Sequence, residues 1–228
     1  MVIFREKKVG PAREILQFTT VTGLANPSNF PGVVNGPVEQ VNWYHGLVFC
    51  NKLSMREGLT PAYTISATTT PDSWGVVPTG SSNETWDAAT CSWGANGYRL
   101  PTEAEWQWAA MGATDSPAKA FSGSTGSNFT GDYAWSQGNS QSTTHAVGGR
   151  AANKLGIYDM SGNVLEWCWD WYGTYPSGAQ NGYSGPPTGS LRLRRGDSWA
   201  DGDVAVANRS ATGPYYRSDD FGLRVVRP

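Results

Sequence analysis

Gly156-Ile157-Tyr158-Asp159-Met160-Ser161-Gly162-Asn163-Val164-Leu165-Glu166-Trp167 is the stretch that decides the fold. It runs on into Cys168-Trp169-Asp170-Trp171, so residues 153–173 set Leu155, Ile157, Tyr158, Met160, Val164, Trp167, Trp169 and Trp171 within 21 positions. That density of apolar and aromatic side chains, broken by Ser161-Gly162-Asn163, reads as core strand and turn.

Upstream, Arg99-Leu100-Pro101-Thr102-Glu103-Ala104-Glu105-Trp106 predicts a helix start. Thr102 can bond the amide three residues on while Glu105 reaches back, and Gly112 is available as terminator. An earlier helix is predicted after the N-cap Asn42, with Trp43, Leu47, Cys50 and Leu53 on one face and Gly58 at its end. Residues 1–36 are strand and loop in character, Asn26-Pro27-Ser28-Asn29-Phe30-Pro31-Gly32 being loop chemistry. Residues 59–98 read as short strands without helical period, and 113–152 as a long polar loop pinned by Trp135. Downstream, Leu191–Trp199 and Phe221–Val226 read as two strands flanking a polar stretch. Two helices, short strands and long ordered loops make an α+β fold, taken as a single domain over 1–228.

Composition narrows the function. Seventeen basic against nineteen acidic residues give a net charge of −2, which favours neither nucleic acid nor an anionic membrane as partner. Eleven Trp, ten Tyr and seven Phe beside 28 Gly describe long loops ordered by aromatic packing. Cys50, Cys91 and Cys168 form no CxxC pair, which excludes a cysteine-rich zinc site; three isolated buried thiols are expected, with one disulfide as the alternative. His45 and His145 are too few for a histidine metal site or triad and read as cap or surface residues. No apolar run approaches the ~18 residues of a membrane span. The opening Met1-Val2-Ile3-Phe4-Arg5-Glu6-Lys7-Lys8-Val9-Gly10 holds no signal-peptide apolar region.

Five blocks in order carry a family resemblance. They are Pro37–Trp43 with Phe49–Ser54, Tyr98–Trp106, Gly156–Trp167, Arg195-Gly196-Asp197-Ser198-Trp199, and Asn208-Arg209 with Phe221-Gly222-Leu223-Arg224. Together they resemble the formylglycine-generating-enzyme, or sulfatase-modifying-factor, type of domain over about residues 14–227. The resemblance implies a C-type-lectin-like fold. It also implies two chemistries to test. Enzymes of this family hold copper on a cysteine pair past the position of Trp199, because soft thiolates bind Cu(I). Here that stretch reads Ala200-Asp201-Gly202-Asp203-Val204-Ala205-Val206, and no cysteine follows Cys168. Related sulfur-transfer enzymes take histidine iron ligands partly from a second domain, and two isolated histidines do not replace it. Family members also bind calcium, which implies Asn163, the Val164 carbonyl and Glu166 as oxygen ligands. The alternative is that Asn163 makes a turn and Glu166 a buried hydrogen bond. No cofactor is required on this reading, and structural calcium stays open.

The C-terminal segment is compositionally odd. The chain holds five Lys, eight Glu, six Gln, four Met and eleven Trp. About four such residues are therefore expected in 200–228, and none is present. These are residue types that an AAY codon cannot yield when its adenines are replaced. On this fold, the pattern resembles the variable proteins of diversity-generating retroelements, spirochaete members included. That resemblance implies a variable region at about 197–221 that meets ligand through Asp197, Ala200, Asp201, Asp203, Ser210, Ala211, Thr212, Gly213, Tyr215, Tyr216, Ser218, Asp219, Asp220 and Phe221. Tyrosines give large contact at low entropy cost, and Asp, Ser and Thr give adaptable hydrogen bonds. Arg209, Arg217 and Arg224 are expected to brace the backbone.

Three readings follow. The first is a non-enzymatic display protein, a monomer at the bacterial cell surface on the outer membrane, binding a macromolecule or glycan. Its attachment through a lipid-modified N-terminus outside this sequence is implied by the resemblance alone. The second is a divergent enzyme of the formylglycine-generating or sulfur-transfer type. The third is an accessory domain that packs on a partner.

Overall fold

The computed structural model describes residues 2–3, 14–113 and 120–228, so residues 114–119 of the expected polar loop lie outside it. In chain order the elements are β1 (Val2–Ile3), α1 (Glu14–Thr22), α2 (Trp43–Arg56), β2 (Tyr63–Thr64), α3 (Glu84–Asp87), β3 (Thr90–Cys91) and α4 (Glu103–Ala110). Then follow β4 (Leu165–Trp171), β5 (Arg192–Arg195), β6 (Arg209–Thr212), β7 (Phe221–Leu223) and β8 (Val226–Arg227). The principal sheet has the order β6-β5-β4-β7, with β4 and β7 parallel and the other pairs antiparallel. Two ribbons, β1 with β8 and β2 with β3, complete the strands among the described residues.

Both expected helices form as the caps dictate. Asn42 accepts from the His45 amide at 3.0 Å while the His45 ring accepts back from the Asn42 N–H. Thr102 and Glu105 exchange the same two bonds at the start of α4. Among the described residues the α-helices nevertheless number four. Residues 14–22, expected as strand and loop, form α1, because buried Phe18 stacks on Phe49 of α2 and lies 6.2 Å from the His45 ring. Tertiary packing here overrides the β-branched run Thr19-Thr20-Val21-Thr22. Residues 84–87 form one short helical turn, capped by Asn83.

The decisive stretch becomes turn and then β4, as its composition demands. Gly162 (φ +76°) is obligatory, since a Cβ there would lie 2.1 Å from the Trp135 carbonyl oxygen. Trp135 itself pins the polar loop, stacked on His145 at 3.7 Å with the Arg150 guanidinium 3.5 Å from its ring. Trp167 donates to the Val41 carbonyl and Trp43 to that of Cys168, which crosses α2 against β4. The expected strand Leu191–Trp199 is shorter, because Gly196 (φ +99°) and Asp197 (φ +54°) break it. Phe221–Val226 splits into β7 and β8, and the polar stretch between contains an unexpected strand, β6.

Every residue of β5 is buried, three arginines included. Arg192 sits 3.7 Å from the Trp43 ring and 3.4 Å from the Trp171 ring, and burial lowers its guanidinium to about 9. Arg194 lies 3.7 Å from the Phe221 ring, and Arg195 bonds the carbonyls of Val206 and Asn208. Planar guanidinium groups stack on aromatic rings while donating at their edges, which lets arginine do the work of core residues.

Glu166 gathers the fold. Buried to 4% exposure, it accepts from Trp106 of α4 at 2.7 Å and from Arg224 through Nε and Nη2 at 2.9 and 2.7 Å. Removing one side of such a pair leaves a charge uncompensated. Glu166→Ala should lower unfolding free energy by about 3–5 kcal/mol in urea titration. Burial, with repulsion from Arg217 added, lowers the His45 imidazole to about 4, below the ~6.5 of an unfolded chain. Between those values the unfolded chain holds the extra proton, so stability falls as pH drops from about 6.5 to about 4. Denaturation series over that window should show the protein losing stability more steeply than His45→Gln.

Candidate functional site

Two loops, residues 196–208 and 213–220, converge beside the β4–β7 edge. Ser198, fully buried, donates its Oγ to Asp201 at 2.7 Å and lies 3.5 Å from Asp220, joining the loops. Trp199 donates through Nε1 to the Asp219 carbonyl at 3.1 Å and packs edge-on against Phe30 at 5.8 Å.

The second loop is held chiefly through its main-chain oxygens. The Trp43 N–H reaches Pro214 O at 3.1 Å, Asn42 Nδ2 reaches Tyr215 O at 3.1 Å, and the Gln40 N–H reaches Ser218 O at 3.0 Å. The Leu165 N–H reaches Asp220 O at 2.7 Å. All four donors lie in the helix-α2 and β4 blocks. A loop fastened in this way keeps its shape when its side chains change.

The side chains of the candidate residues do not all serve alike. Ala200, Asp203 and Tyr216 are exposed, and Tyr216 stacks on Tyr215 at 4.5 Å. Ser218 and Asp219 are partly exposed, with Asn29 Nδ2 3.4 Å from Asp219. Ser210, Ala211 and Thr212 form β6, opposite Arg194, Leu193 and Arg192. Other positions have structural duties. Asp201 accepts the Ser198 N–H at 2.8 Å, and Asp197 accepts from Asn208 at 2.8 Å while burial raises its carboxyl to about 6. Gly213 is buried under Tyr215, and Phe221 packs on Trp167. Residue type alone does not separate these two groups, because it carries no orientation.

Of the three expected braces, two are present. Arg209 grips Glu103 at 2.6 and 2.8 Å, and Arg224 grips Glu166. Arg217 is exposed and forms no hydrogen bond or ion pair among the described residues. Buried Arg194, which donates to Ser210 and stacks on Phe221, underlies the site and was not expected there. Its signal was a third arginine in a strand.

The candidate calcium ligands have other partners. Asn163 (φ +65°) exchanges both amide groups with the His145 backbone, at 3.0 Å each. Val164 is buried, and Glu166 faces Arg224. A donor set with its amide engaged and its carboxylate neutralised does not fit a calcium ion in this arrangement.

The cysteines are free, Cys50 and Cys168 fully buried and Cys91, contrary to expectation, only partly so. Burial pushes the Cys50 and Cys168 thiols well up and Cys91 up to about 12, away from the thiolate that copper requires.

Comparison with known proteins defines the class. The model of the sulfatase-modifying factor enzyme 1-like domain matches residues 17–228, and the chain belongs to this family. Treponema denticola variable protein 1 superposes with a TM-score of 0.83 at 40% identity, over 95% of this chain and 82% of that one. The chain is also 40% identical over 220 residues to chaperone protein LppX of Paenibacillus barcinonensis, 89% of this chain and 73% of the relative. Formylglycine-generating enzyme of Streptomyces coelicolor is 32% identical over 161 residues, 62% of this chain and 50% of the enzyme.

Replacing Ala200, Asp203 or Tyr216 by Ser should change unfolding free energy by less than about 0.5 kcal/mol. Asp201→Ala and Phe221→Ala should each cost at least about 1 kcal/mol in the same denaturation assay.

Proposed function

We propose that this protein is a non-enzymatic display protein that binds a macromolecular or glycan ligand through its C-terminal face. Its side chains are exchanged from copy to copy by a retroelement. The observation that carries the reading is a coincidence. The longest stretch lacking Lys, Glu, Gln, Met and Trp, residues 200–228, contains the loop that the scaffold fastens by its main-chain oxygens. Diversity confined to such a surface costs the fold little, as in loop-borne binding sites generally. Likeness to a Treponema variable protein supports it. The reading includes a monomer attached at the bacterial outer surface through a lipid-modified N-terminus. No described helix is long and apolar enough to cross a membrane.

The alternative is a divergent enzyme, favoured by likeness to a formylglycine-generating enzyme. Against it stand the burial of Cys50 and Cys168 and the absence of any cysteine past Trp199, where the resemblance implies the copper-binding pair. Sequencing this locus from many isolates should place amino-acid changes at the exposed and partly exposed candidate positions of 197–221, Trp199 not among them, and leave Ser198, Trp199, Glu166 and Arg224 fixed. Changes scattered over the chain would sink the proposal, as would turnover of a cysteine peptide above blank with added copper.

A further inference from the structure

A cleft of about 560 Å³ opens between the first two turns of α4 and the loop that follows β4. Small-molecule sites in proteins occupy ~300–1,000 Å³. No residue of 197–221 lines this cleft, so it is separate from the variable face. Its walls present two half-exposed indoles, Trp93 at 44% and Trp108 at 48%, with Tyr175 and Tyr183 on the loop side.

Three carboxylates line the cleft and no basic side chain does. Glu103 is neutralised by Arg209 and Glu105 by Arg99, each at 2.6 Å. Asp170 differs. It is 2% exposed, accepts the Glu103 N–H at 2.9 Å, and forms no ion pair among the described residues. Arg192, the cation that acts on it, is committed to the rings of Trp43 and Trp171. A buried carboxylate without an ion-pair partner is costly, and here burial raises it to about 7, the more distant Arg192 charge offsetting that only in part.

We propose that this cleft binds an organic ammonium group, with the tryptophan faces as walls and Asp170 as counter-charge. An ammonium ion is attracted to the negative face of an indole and supplies the ion-pair partner that Asp170 lacks. An anion meets three carboxylates and no base. A neutral sugar stacks equally well but leaves the Asp170 charge uncompensated. The volume leaves room for the body of the ligand beyond its charged head.

The groups that face Asp170 set the pH dependence. Glu103 stays paired with Arg209, Glu105 with Arg99, and Arg192 remains stacked. Tyr175 donates to Glu103 and is raised to about 12 by burial, so it stays neutral. Asp170 is therefore the group that titrates, and ammonium affinity should climb as pH rises through about 7 and then level off.

The test is titration with choline, standing for a free quaternary amine, and with N-acetyl-lysine amide, standing for a polypeptide side chain. Trp fluorescence and NMR report binding. The uncharged choline isostere 3,3-dimethylbutanol and glucose run in parallel. We expect at least one ammonium probe to bind, at least tenfold more tightly than the isostere or glucose. Asp170→Asn should weaken that binding tenfold or more and flatten its pH profile, and Trp108→Ala, at a half-exposed position, should weaken it without changing the melting temperature. Equal binding of the isostere or glucose, unchanged affinity in Asp170→Asn, or no ammonium binding would overturn the proposal. Should Asp170→Asn not fold, Trp108→Ala and the pH profile decide.

Discussion

A single buried carboxylate, Glu166, joins the parts of the molecule that must not move. It takes the indole of α4 on one side and the Arg224 guanidinium on the other, while its backbone pairs with Gly222 across the parallel β4–β7 edge. Its neighbour Leu165 donates to Asp220. The end of the loop 213–220 is therefore fastened one residue from the charge that fastens the core. With both partners in place the burial of Glu166 is compensated, and without either it is a liability. The same arrangement recurs at Glu103, where Arg209 closes the start of β6 against α4.

Around these clamps the chain separates what is fixed from what can change. Fixed parts use side chains: the Trp43 and Trp167 indoles, the stacked arginines of β5, Ser198 with Asp201. The changeable part uses main chain, because a carbonyl oxygen is present whatever the residue. That division explains how a surface can lack five residue types yet keep one shape. Within 197–221, Asp201, Gly213 and Phe221 still carry structural duties.

Much of this was legible in the sequence. Helices α2 and α4 follow from Asn42 and from Thr102 with Glu105, whose capping chemistry is local, and the Trp-rich strand follows from density alone. Helix α1 was hidden because its stability comes from Phe18 against α2 and not from its own threonines. Strand β6 was hidden because Arg209-Ser210-Ala211-Thr212 has no apolar alternation, and its order comes from pairing with β5. Burial of Arg192, Arg194 and Arg195 could not be read because arginine on a strand ordinarily points to solvent. In the site, composition marked the segment but not which side chains face outward. The half-exposed tryptophans of the cleft at α4, Trp93 and Trp108, carried no signal at all among the eleven of the chain.

The central claim is that the loop 213–220 is held by the scaffold through its carbonyl oxygens. Amide hydrogen exchange on the donors tests it most directly, at Gln40, Trp43 and Leu165. If the loop is part of the scaffold, these three amides should exchange only with global unfolding, as slowly as the amides of β4 paired with β5. Exchange of all three by a low-energy local opening, with β4 still protected, would contradict it.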